Sequence, residues 1–210
     1  MTVVLVATRN RGKLLELRPL LAAADLEAID LEAAGVSPSA AEDAVERYAT
    51  FAENALAKAR YFHEASGGLP TLADDSGLAV DALGGEPGVR SRRWSGRTDL
   101  SGAALDAANN AQLQAALAGI ASRAARFVCA AAFVDGALEV VGEGETTGRL
   151  LDAPRGSKGF GYDPYFLSDE LGVTFAEAEP AAKAEVSHRG RAVRAVIAEL
   201  ARVQSRGSGS

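Results

Sequence analysis

Cysteine and histidine are scarce in this 210-residue sequence, and that scarcity excludes several kinds of site. Cys129 is the only cysteine, so no disulfide can form within the chain, and its apolar surroundings in FVCAAAF are typical of a core thiol. A lone core thiol suits a reducing compartment, and we therefore expect a cytoplasmic protein. The two histidines are too few for a histidine-based metal site.

Long apolar runs and an excess of basic residues are also missing. No apolar stretch approaches the roughly 20 residues that span a membrane, so we expect no membrane partner. The first residues, MTVVLVATRN, have no charged segment before their short apolar run, which predicts a buried strand rather than a signal peptide. The formal net charge of −6 argues against a broad surface for nucleic acid.

The sequence does contain an alternation of strand and helix patterns. Apolar runs predict strands at Val3–Ala7 and Leu26–Leu31, and a hairpin of Phe127–Val134 and Leu138–Gly142. Helical patterns predict helices over Lys13–Ala23, Leu100–Leu117 and Ser187–Val203, and a further helix that begins at Thr50 and is stopped by Ser66-Gly-Gly. This order predicts the α/β class, with a mixed central sheet and flanking helices. We expect one domain over residues 1–203 and a flexible tail over residues 204–210.

The first candidate site is the polar turn TRNRGK, Thr8–Lys13, between the first strand and the first helix. Backbone N–H groups at a helix N-terminus, together with a lysine, form a natural seat for phosphate. The turn is not a Walker A loop, because the pattern GxxxxGK[ST] is absent. The alternative is a plain polar turn with solvated arginines.

The second candidate site is the acid pair in LADDSGLAV, residues 72–80. An unpaired buried carboxylate is costly, so Asp74 and Asp75 need a cation or hydrogen-bond donors among their apolar neighbours. In a turn at a strand end, such a pair could hold Mg²⁺ beside substrate phosphates, and one acid could deprotonate a water. The alternative is an Asx-turn with both acids exposed, which the close apolar flanks disfavour.

Two segments rich in glycine come next along the chain. Residues 84–96, GGEPGVRSRRWSG, could clamp phosphate oxygens through their arginines, or form a surface loop with Trp94 anchored in the core. Residues 159–164, GFGYDP, could stack a flat base on Phe160 and Tyr162 while Asp163 and the backbone read its edge. The alternative is a turn whose aromatic side chains only seal the core.

A basic segment opens the last predicted helix. Ser187 is a candidate N-cap, and His188 and Arg189 follow it in the first turn, shortly after Lys183. The alternative is capping with a solvated basic face. An acidic chain that gathers its basic residues in such turns, around one acid pair, suits a compact polyanion with a divalent metal. The residues alone therefore predict a Mg²⁺-dependent enzyme that acts on a nucleotide or phosphoester.

Taken together, these segments resemble the inosine/xanthosine triphosphate pyrophosphatase family. The matching stretches cover nearly the whole chain in order: TRNRGK (8–13), ERYATFAENALAKA (46–59), ADDSGLAVDALGGEPGVRSRRWSG (73–96), GFGYDP (159–164) and KAEVSHRGRA (183–192). The resemblance implies Mg²⁺-dependent hydrolysis of ITP, dITP and XTP to the monophosphate and pyrophosphate by a homodimer. It also implies an α/β fold whose two lobes flank a substrate cleft.

The resemblance further implies roles for individual residues. It makes Asp75 the general base and a metal contact, with Asp74 and Glu46 as further metal-associated acids. It assigns the triphosphate to Thr8, Arg9, Asn10, Arg11, Gly12 and Lys13, with a substrate contact from Ser76. It assigns the base to Phe160, Gly161, Tyr162, Asp163, Lys183, His188 and Arg189. A donor such as Arg189 aimed at a 6-keto oxygen would favour hypoxanthine and xanthine over adenine.

Two other functions stay open at this point. A pyrophosphatase for modified pyrimidine or methylated nucleotides would carry a similar site, and a nucleotide-binding protein without turnover would keep the phosphate turn. The acid pair favours an enzyme over the binding protein, because binding alone needs no general base.

Overall fold

A six-stranded sheet organises the chain in the computed structural model, which describes residues 2–207. The strands are β1 Thr2–Val6, β2 Leu26–Asp30, β3 Thr71–Val80, β4 Ala124–Asp135, β5 Leu138–Leu150 and β6 Phe166–Ser168. The α-helices are α1 Arg11–Ala22, α2 Phe51–Ala65, α3 Gly102–Ala116, α4 Pro180–Val186 and α5 His188–Gly207. Short 3₁₀ helices occupy Ala40–Ala44, Asp81–Leu83 and Gly88–Arg93.

The sheet is mixed, as predicted, with the strand order β2-β1-β3-β4-β5-β6. β1 pairs in parallel with β2 and β3, whereas β5 and β6 are antiparallel. β4 and β5 are neighbours joined through Gly136, whose φ of 58° suits the tight turn, so the predicted hairpin is confirmed. The α/β class is likewise confirmed.

The chain divides into two compact units, and the division falls inside β3. The first unit comprises the chain up to Asp75, Cys129–Gly144 and the chain from His188 onward. It carries a core on each face of its strands, and the residues of β1 and β3 alternate between them. Val4, Val6 and Leu72 pack with α1 and α5, and Leu5 and Ala73 pack with α2.

The second unit comprises Ser76–Val128 and Glu145–Ser187 and has a core of its own. Three aromatic rings, Phe127, Phe166 and Phe175, meet there with centroids 4.6–5.8 Å apart. Leu113 of α3 and Leu117, which caps its C-terminus, are fully buried in the same core, and Trp94 packs at the edge of this core, as predicted. The predicted single domain over residues 1–203 and the predicted substrate cleft both stay predictions.

Local signals explain where the helices begin. The Thr50 hydroxyl accepts a hydrogen bond from the Glu53 N–H and caps α2, as its capping pattern predicts. The Asn10 side chain caps α1 by accepting from the Gly12 and Lys13 N–H groups, so this helix begins two residues before the predicted start.

Several predicted boundaries are wrong. The acid pair lies inside β3 rather than in a turn at a strand end, because the whole stretch Thr71–Val80 is one strand. β5 continues past Gly142 to Leu150, and β6 and α4 had no prediction. α5 extends past Val203 to Gly207, and the rest of the predicted tail, residues 208–210, lies outside the described residues. Within residues 2–207, no helix has both the length and the apolar character needed to cross a membrane.

Candidate active site

The acid pair is split between the two faces of β3. Successive side chains of a strand point to opposite faces, so Asp74 follows Leu72 and Asp75 follows Ala73. Asp74 therefore belongs to the side packed by α1 and α5, and Asp75 belongs to the side packed by α2. Two adjacent acids with different surroundings can carry different protonation states and different tasks.

Asp74 is fully buried and is held by two cations. Its Oδ2 atom lies 3.0 Å from the Lys13 Nζ and accepts a 3.0 Å hydrogen bond from the Arg189 Nε. Arg189 also donates to the Glu16 carboxylate, so its guanidinium joins two acids. Burial alone would raise the pKa of Asp74, but Lys13 and Arg189 hold that pKa well below its usual range. Asp74 is therefore a permanent anion.

A close approach of α5 to β5 places Arg189 at this carboxylate. Gly144 lies beside the first turn of α5, where a Cβ would stand 2.6 Å from the Ala192 nitrogen and would also clash with the His188 oxygen. Only glycine permits this spacing. His188 and Arg189 are consequently buried, with exposures of 4% and 2%, and the predicted alternative of a solvated basic face is wrong.

Asp75 occupies a different environment. It is 8% exposed, and its Oδ2 accepts a 2.9 Å hydrogen bond from the Asn54 side chain. Burial raises the pKa of Asp75, because Lys13 and Lys58 only partly offset the cost of removing a carboxylate from water. Asn54 also bonds to the backbone of Tyr48 in both directions, which ties the loop before α2 to the acid.

Lys58 is a component that the sequence prediction missed. Its Nζ is buried, lies 2.5 Å from a Glu46 carboxylate oxygen and donates to the Asp74 carbonyl oxygen. Burial opposes the charge of Glu46, but Lys58 lowers the pKa of this acid overall, so the pair is ionised. Asn54 and Lys58 are polar residues four positions apart on the buried stripe of α2, and that pattern was the available signal.

The polar turn between β1 and α1 uses its backbone donors internally. The Asn10 N–H donates to the Thr8 hydroxyl at 3.1 Å, and the Gly12 N–H donates to the Asn10 side chain at 2.8 Å. Arg9 is exposed and pairs with Glu42 at 2.8 Å, and Arg11 is exposed beside it. Of this turn, Lys13 is the residue that the structure brings to the acid pair.

The aromatic-glycine turn in the second unit surrounds a buried ion pair. The Lys183 Nζ lies 2.6 Å from the Asp163 Oδ2, with side-chain exposures of 9% and 6%. The Phe160 N–H donates to the same oxygen at 3.0 Å, and the Lys183 Nζ lies 5.6 Å from the centre of the Phe160 ring. Gly159 has a φ of 74°, and a Cβ there would collide with the Asp163 carboxylate, so this turn requires glycine.

The two aromatic side chains of this turn have different surroundings. Tyr162 is 6% exposed and its hydroxyl donates to the Ser91 carbonyl at 2.8 Å, so its ring packs in the core. Phe160 is half-buried. The ring of Phe160 is therefore better placed than that of Tyr162 to stack on a flat ligand. Ser76, also in this unit, is half-buried in β3 directly after Asp75.

The metal set predicted from the sequence, Glu46, Asp74 and Asp75, stays a prediction. Among the side chains that the structure describes, which leave out that of Asp43, no three acidic, histidine or cysteine side chains are arranged to hold a metal ion. Glu46 is nevertheless close enough to Asp75 to raise its pKa, whereas Asp74 is already neutralised by cations. Magnesium needs only one or two protein carboxylates beside phosphates and waters, so Glu46 and Asp75 fit it and Asp74 fits it less well.

Solved structures identify the class of the fold. A HAM1 protein from Coxiella burnetii has a TM-score of 0.78 at 33% identity, and the match covers 96% of this chain and 100% of that one. The crystal structure of a nucleoside-triphosphatase / dITP/XTP pyrophosphatase from Mycobacterium abscessus has a TM-score of 0.67 at 44% identity, with coverage of 90% and 96%. The chain thus has the α/β fold of HAM1 proteins.

The sequence comparisons narrow this class to a family. The profile of the Ham1 family matches residues 4–199, and the chain belongs to this family. The dITP/XTP pyrophosphatase of Frankia alni is 52% identical over 194 residues, which are 91% of this chain and 93% of that protein. The dITP/XTP pyrophosphatase of Mycolicibacterium paratuberculosis is 50% identical over 204 residues, with coverage of 95% and 96%.

Proposed function

We propose that this protein is a dITP/XTP pyrophosphatase, which hydrolyses dITP, ITP and XTP to the nucleoside monophosphate and pyrophosphate. Relatives of that name are about half identical to this chain over nearly its whole length. The observation that carries the proposal is the pair of buried acids on β3, one ionised by two cations and one with a raised pKa. A binding protein would gain nothing from the cost of burying the second acid.

Asp75 is the general base in this proposal. Its raised pKa brings the carboxylate nearer to the pH at which it must take a proton from the attacking water. Asn54 holds the carboxylate in place by donating to Oδ2. Asp74 is a positioning residue, because its two cation partners, Lys13 and Arg189, are fixed around it.

Cations from two helices carry the triphosphate in this proposal. Lys13 at the start of α1 and Lys58 on α2 both act electrostatically on Asp75, so phosphates near that acid would meet both charges. The turn before Lys13 would also bind phosphate, through Thr8, Arg9, Asn10, Arg11 and Gly12. Ser76 is a further proposed substrate contact. Their backbone and side-chain donors would exchange local hydrogen bonds for phosphate oxygens.

Magnesium is the proposed metal, held by Glu46 and Asp75 together with substrate phosphates and waters. The ion would neutralise charge on the phosphates and so favour attack and departure of pyrophosphate. Lys58 keeps Glu46 ionised and therefore available as a ligand. We leave the Asp74 carboxylate out of this set, because Lys13 and Arg189 already share its Oδ2.

The base is assigned to the aromatic-glycine turn and the buried basic residues. Phe160 would stack on the purine, and Asp163, held by Lys183, would shape the turn that reads its edge. His188 and Arg189, at the start of α5, belong to the proposed site. The Arg189 Nε donates to Asp74 and its Nη1 donates to Glu16, so a contact with the base would use another N–H group of the guanidinium. A homodimer and a cytoplasmic location complete the proposal.

Product analysis tests this function. The protein is incubated with dITP, XTP, dGTP and dATP, with and without Mg²⁺, in water enriched in ¹⁸O. We expect dIMP or XMP plus pyrophosphate, label in the monophosphate, a need for metal, and little product from dATP or dGTP. Orthophosphate and a diphosphate would overturn the proposed bond cleavage. Tight binding without turnover would instead favour a nucleotide-binding protein, and activity confined to modified pyrimidine nucleotides would reassign the substrate.

A further inference from the structure

Two side chains of α3 hold both peptide groups of one glycine in the aromatic-glycine turn. The Asp106 Oδ2 accepts a 2.9 Å hydrogen bond from the Gly161 N–H. One turn further along the helix, the Asn110 Nδ2 donates to the Gly161 carbonyl oxygen, also at 2.9 Å. Asn110 is 7% exposed, so this contact is protected from water. We call Asp106 and Asn110 the α3 clamp.

The orientation of the Asn110 amide follows from its surroundings. Its Nδ2 donates to the Asp106 carbonyl oxygen as well as to that of Gly161, each at 2.9 Å. A flipped amide would place its oxygen against these two carbonyl oxygens and would lose both hydrogen bonds. Asn110 can therefore hold only the carbonyl of Gly161, and Asp106 can hold only the N–H.

The α3 clamp acts at Gly161, a position of the turn with high backbone freedom. Gly161 has a φ of 61°, where glycine moves more freely than any other residue. Without fixed partners, the peptide between Gly161 and Tyr162 could rotate and exchange the positions of its donor and acceptor. The hydrogen bond from Asn110 to the Gly161 carbonyl opposes that rotation.

A fixed carbonyl also fixes the N–H on the other side of the same peptide. In a trans peptide the C=O and the following N–H point in opposite directions, so the Tyr162 N–H points away from Asn110. Three of its neighbours in the turn have N–H groups that are engaged: that of Phe160 by the Asp163 carboxylate, that of Gly161 by Asp106, and that of Asp163 by the Phe160 carbonyl. Among the groups that the structure describes, none accepts a hydrogen bond from the Tyr162 N–H.

We propose that Asp106 and Asn110 are positioning residues that determine base selectivity, because they aim the Tyr162 N–H at the 6-keto oxygen of a purine. This inference rests on the proposed function. A keto oxygen accepts from that N–H, whereas the 6-amino group of adenine offers only donors and leaves it unpaired. If the peptide rotated, the Gly161 carbonyl would replace the N–H and would accept from adenine.

Selectivity measurements on variants of the clamp test the proposal. Asn110→Asp keeps the shape of the side chain but sets a carboxylate against the Gly161 carbonyl, and Asn110→Ala removes the donor. For both we expect a KM for dITP about tenfold higher with little change in kcat, the factor that corresponds to about 1.4 kcal/mol. The ratio of kcat/KM for dATP to that for dITP should rise at least about tenfold.

A control variant separates positioning from general damage. Gln114→Ala removes an amide on the same helix that donates to the Leu151 carbonyl, away from the clamp, and should leave the ratio unchanged. Asn110 variants with wild-type thermal stability and an unchanged dATP/dITP ratio would overturn the proposal, as would an equal change in Gln114→Ala.

Nuclear magnetic resonance gives a readout that needs no variant. On titration of the wild-type protein with dIMP, the Tyr162 amide proton should shift downfield, and with dAMP it should not. An unmoved Tyr162 resonance while dIMP binds would refute the inference and leave the proposed function intact. A wild-type protein that neither binds dIMP nor hydrolyses dITP would overturn both.

Discussion

Replacing Gly144 by alanine should separate α5 from β5 and disturb Asp74 from a distance. The new Cβ would stand 2.6 Å from the Ala192 nitrogen and 2.6 Å from the Arg191 Cβ, and would press on the His188 oxygen. Non-bonded heavy atoms require about 3.5 Å, so the first turn of α5 must move by about 1 Å. Arg189 lies in that turn and moves with it.

The size of the effect follows from this displacement. The Arg189 Nε lies 3.0 Å from the Asp74 Oδ2, and a 1 Å shift along that direction lengthens the contact to about 4 Å, beyond hydrogen-bond range. Overpacking of this kind costs about 1–3 kcal/mol of the free energy of unfolding. For a chain of this length, each kcal/mol lowers Tm by about 2–4 °C. We expect kcat/KM for dITP to fall about tenfold or more.

Gly142→Ala is the matched control. Its Cβ would meet the Ala192 oxygen at 2.5 Å and the Val196 nitrogen at 2.8 Å, which is a similar overlap one turn further along α5. Thermal unfolding and initial rates with dITP are measured for both variants. We expect similar losses of Tm but a clearly larger loss of activity for Gly144→Ala. Equal activities, or a Gly144→Ala protein as stable and active as wild type, would refute the argument.

Three further predictions concern single side chains of the first unit. Asp75→Asn should lower kcat by about 10²–10⁴-fold without loss of secondary structure, because it removes the general base but keeps a hydrogen-bond acceptor for Asn54. Initial rates and circular dichroism check this prediction. Full activity of the variant would show that Asp75 is not the general base. Lys58→Met should lower the free energy of unfolding by about 1–3 kcal/mol, because Glu46 loses a charged hydrogen-bond partner; a denaturant titration with unchanged midpoint would count against it. Burial raises the pKa of the Cys129 thiol, so at pH 8 this thiol should react with Ellman's reagent only after the protein is unfolded. Rapid reaction of the native protein would contradict this prediction.

Patterns that depend on neighbours in sequence predicted much of the fold. The Thr50–Glu53 cap and the apolar stripe after it predicted α2, and the apolar runs predicted β1 and the β4–β5 hairpin. Ser76-Gly77 failed as a signal, because this pair is typical of a turn yet lies inside β3. Sheet pairing outweighed the local preference, and the acids therefore sit within the strand.

The contacts within the site could not be predicted from local sequence patterns, because they join residues that are far apart along the chain. Arg189 and Asp74 are 115 positions apart, and the interpretation of Arg189 as a base contact missed its bonds to Asp74 and Glu16. Lys58 was overlooked because a lysine on a helix is ordinarily a surface residue. Its position on the buried stripe of α2, four residues after Asn54, was the one available sign that it faces inward.

The distribution of these ion pairs along the chain also bears on when the site can form during synthesis. Lys13, Lys58 and Asp74 belong to the first half of the chain, but Arg189 arrives only with the last helix. A ribosome-bound chain that stops short of α5 would hold Asp74 with one of its cations missing, and closing so long a loop is slow. Activity should therefore appear only when the chain is complete, and partly synthesised chains should not hydrolyse nucleotides.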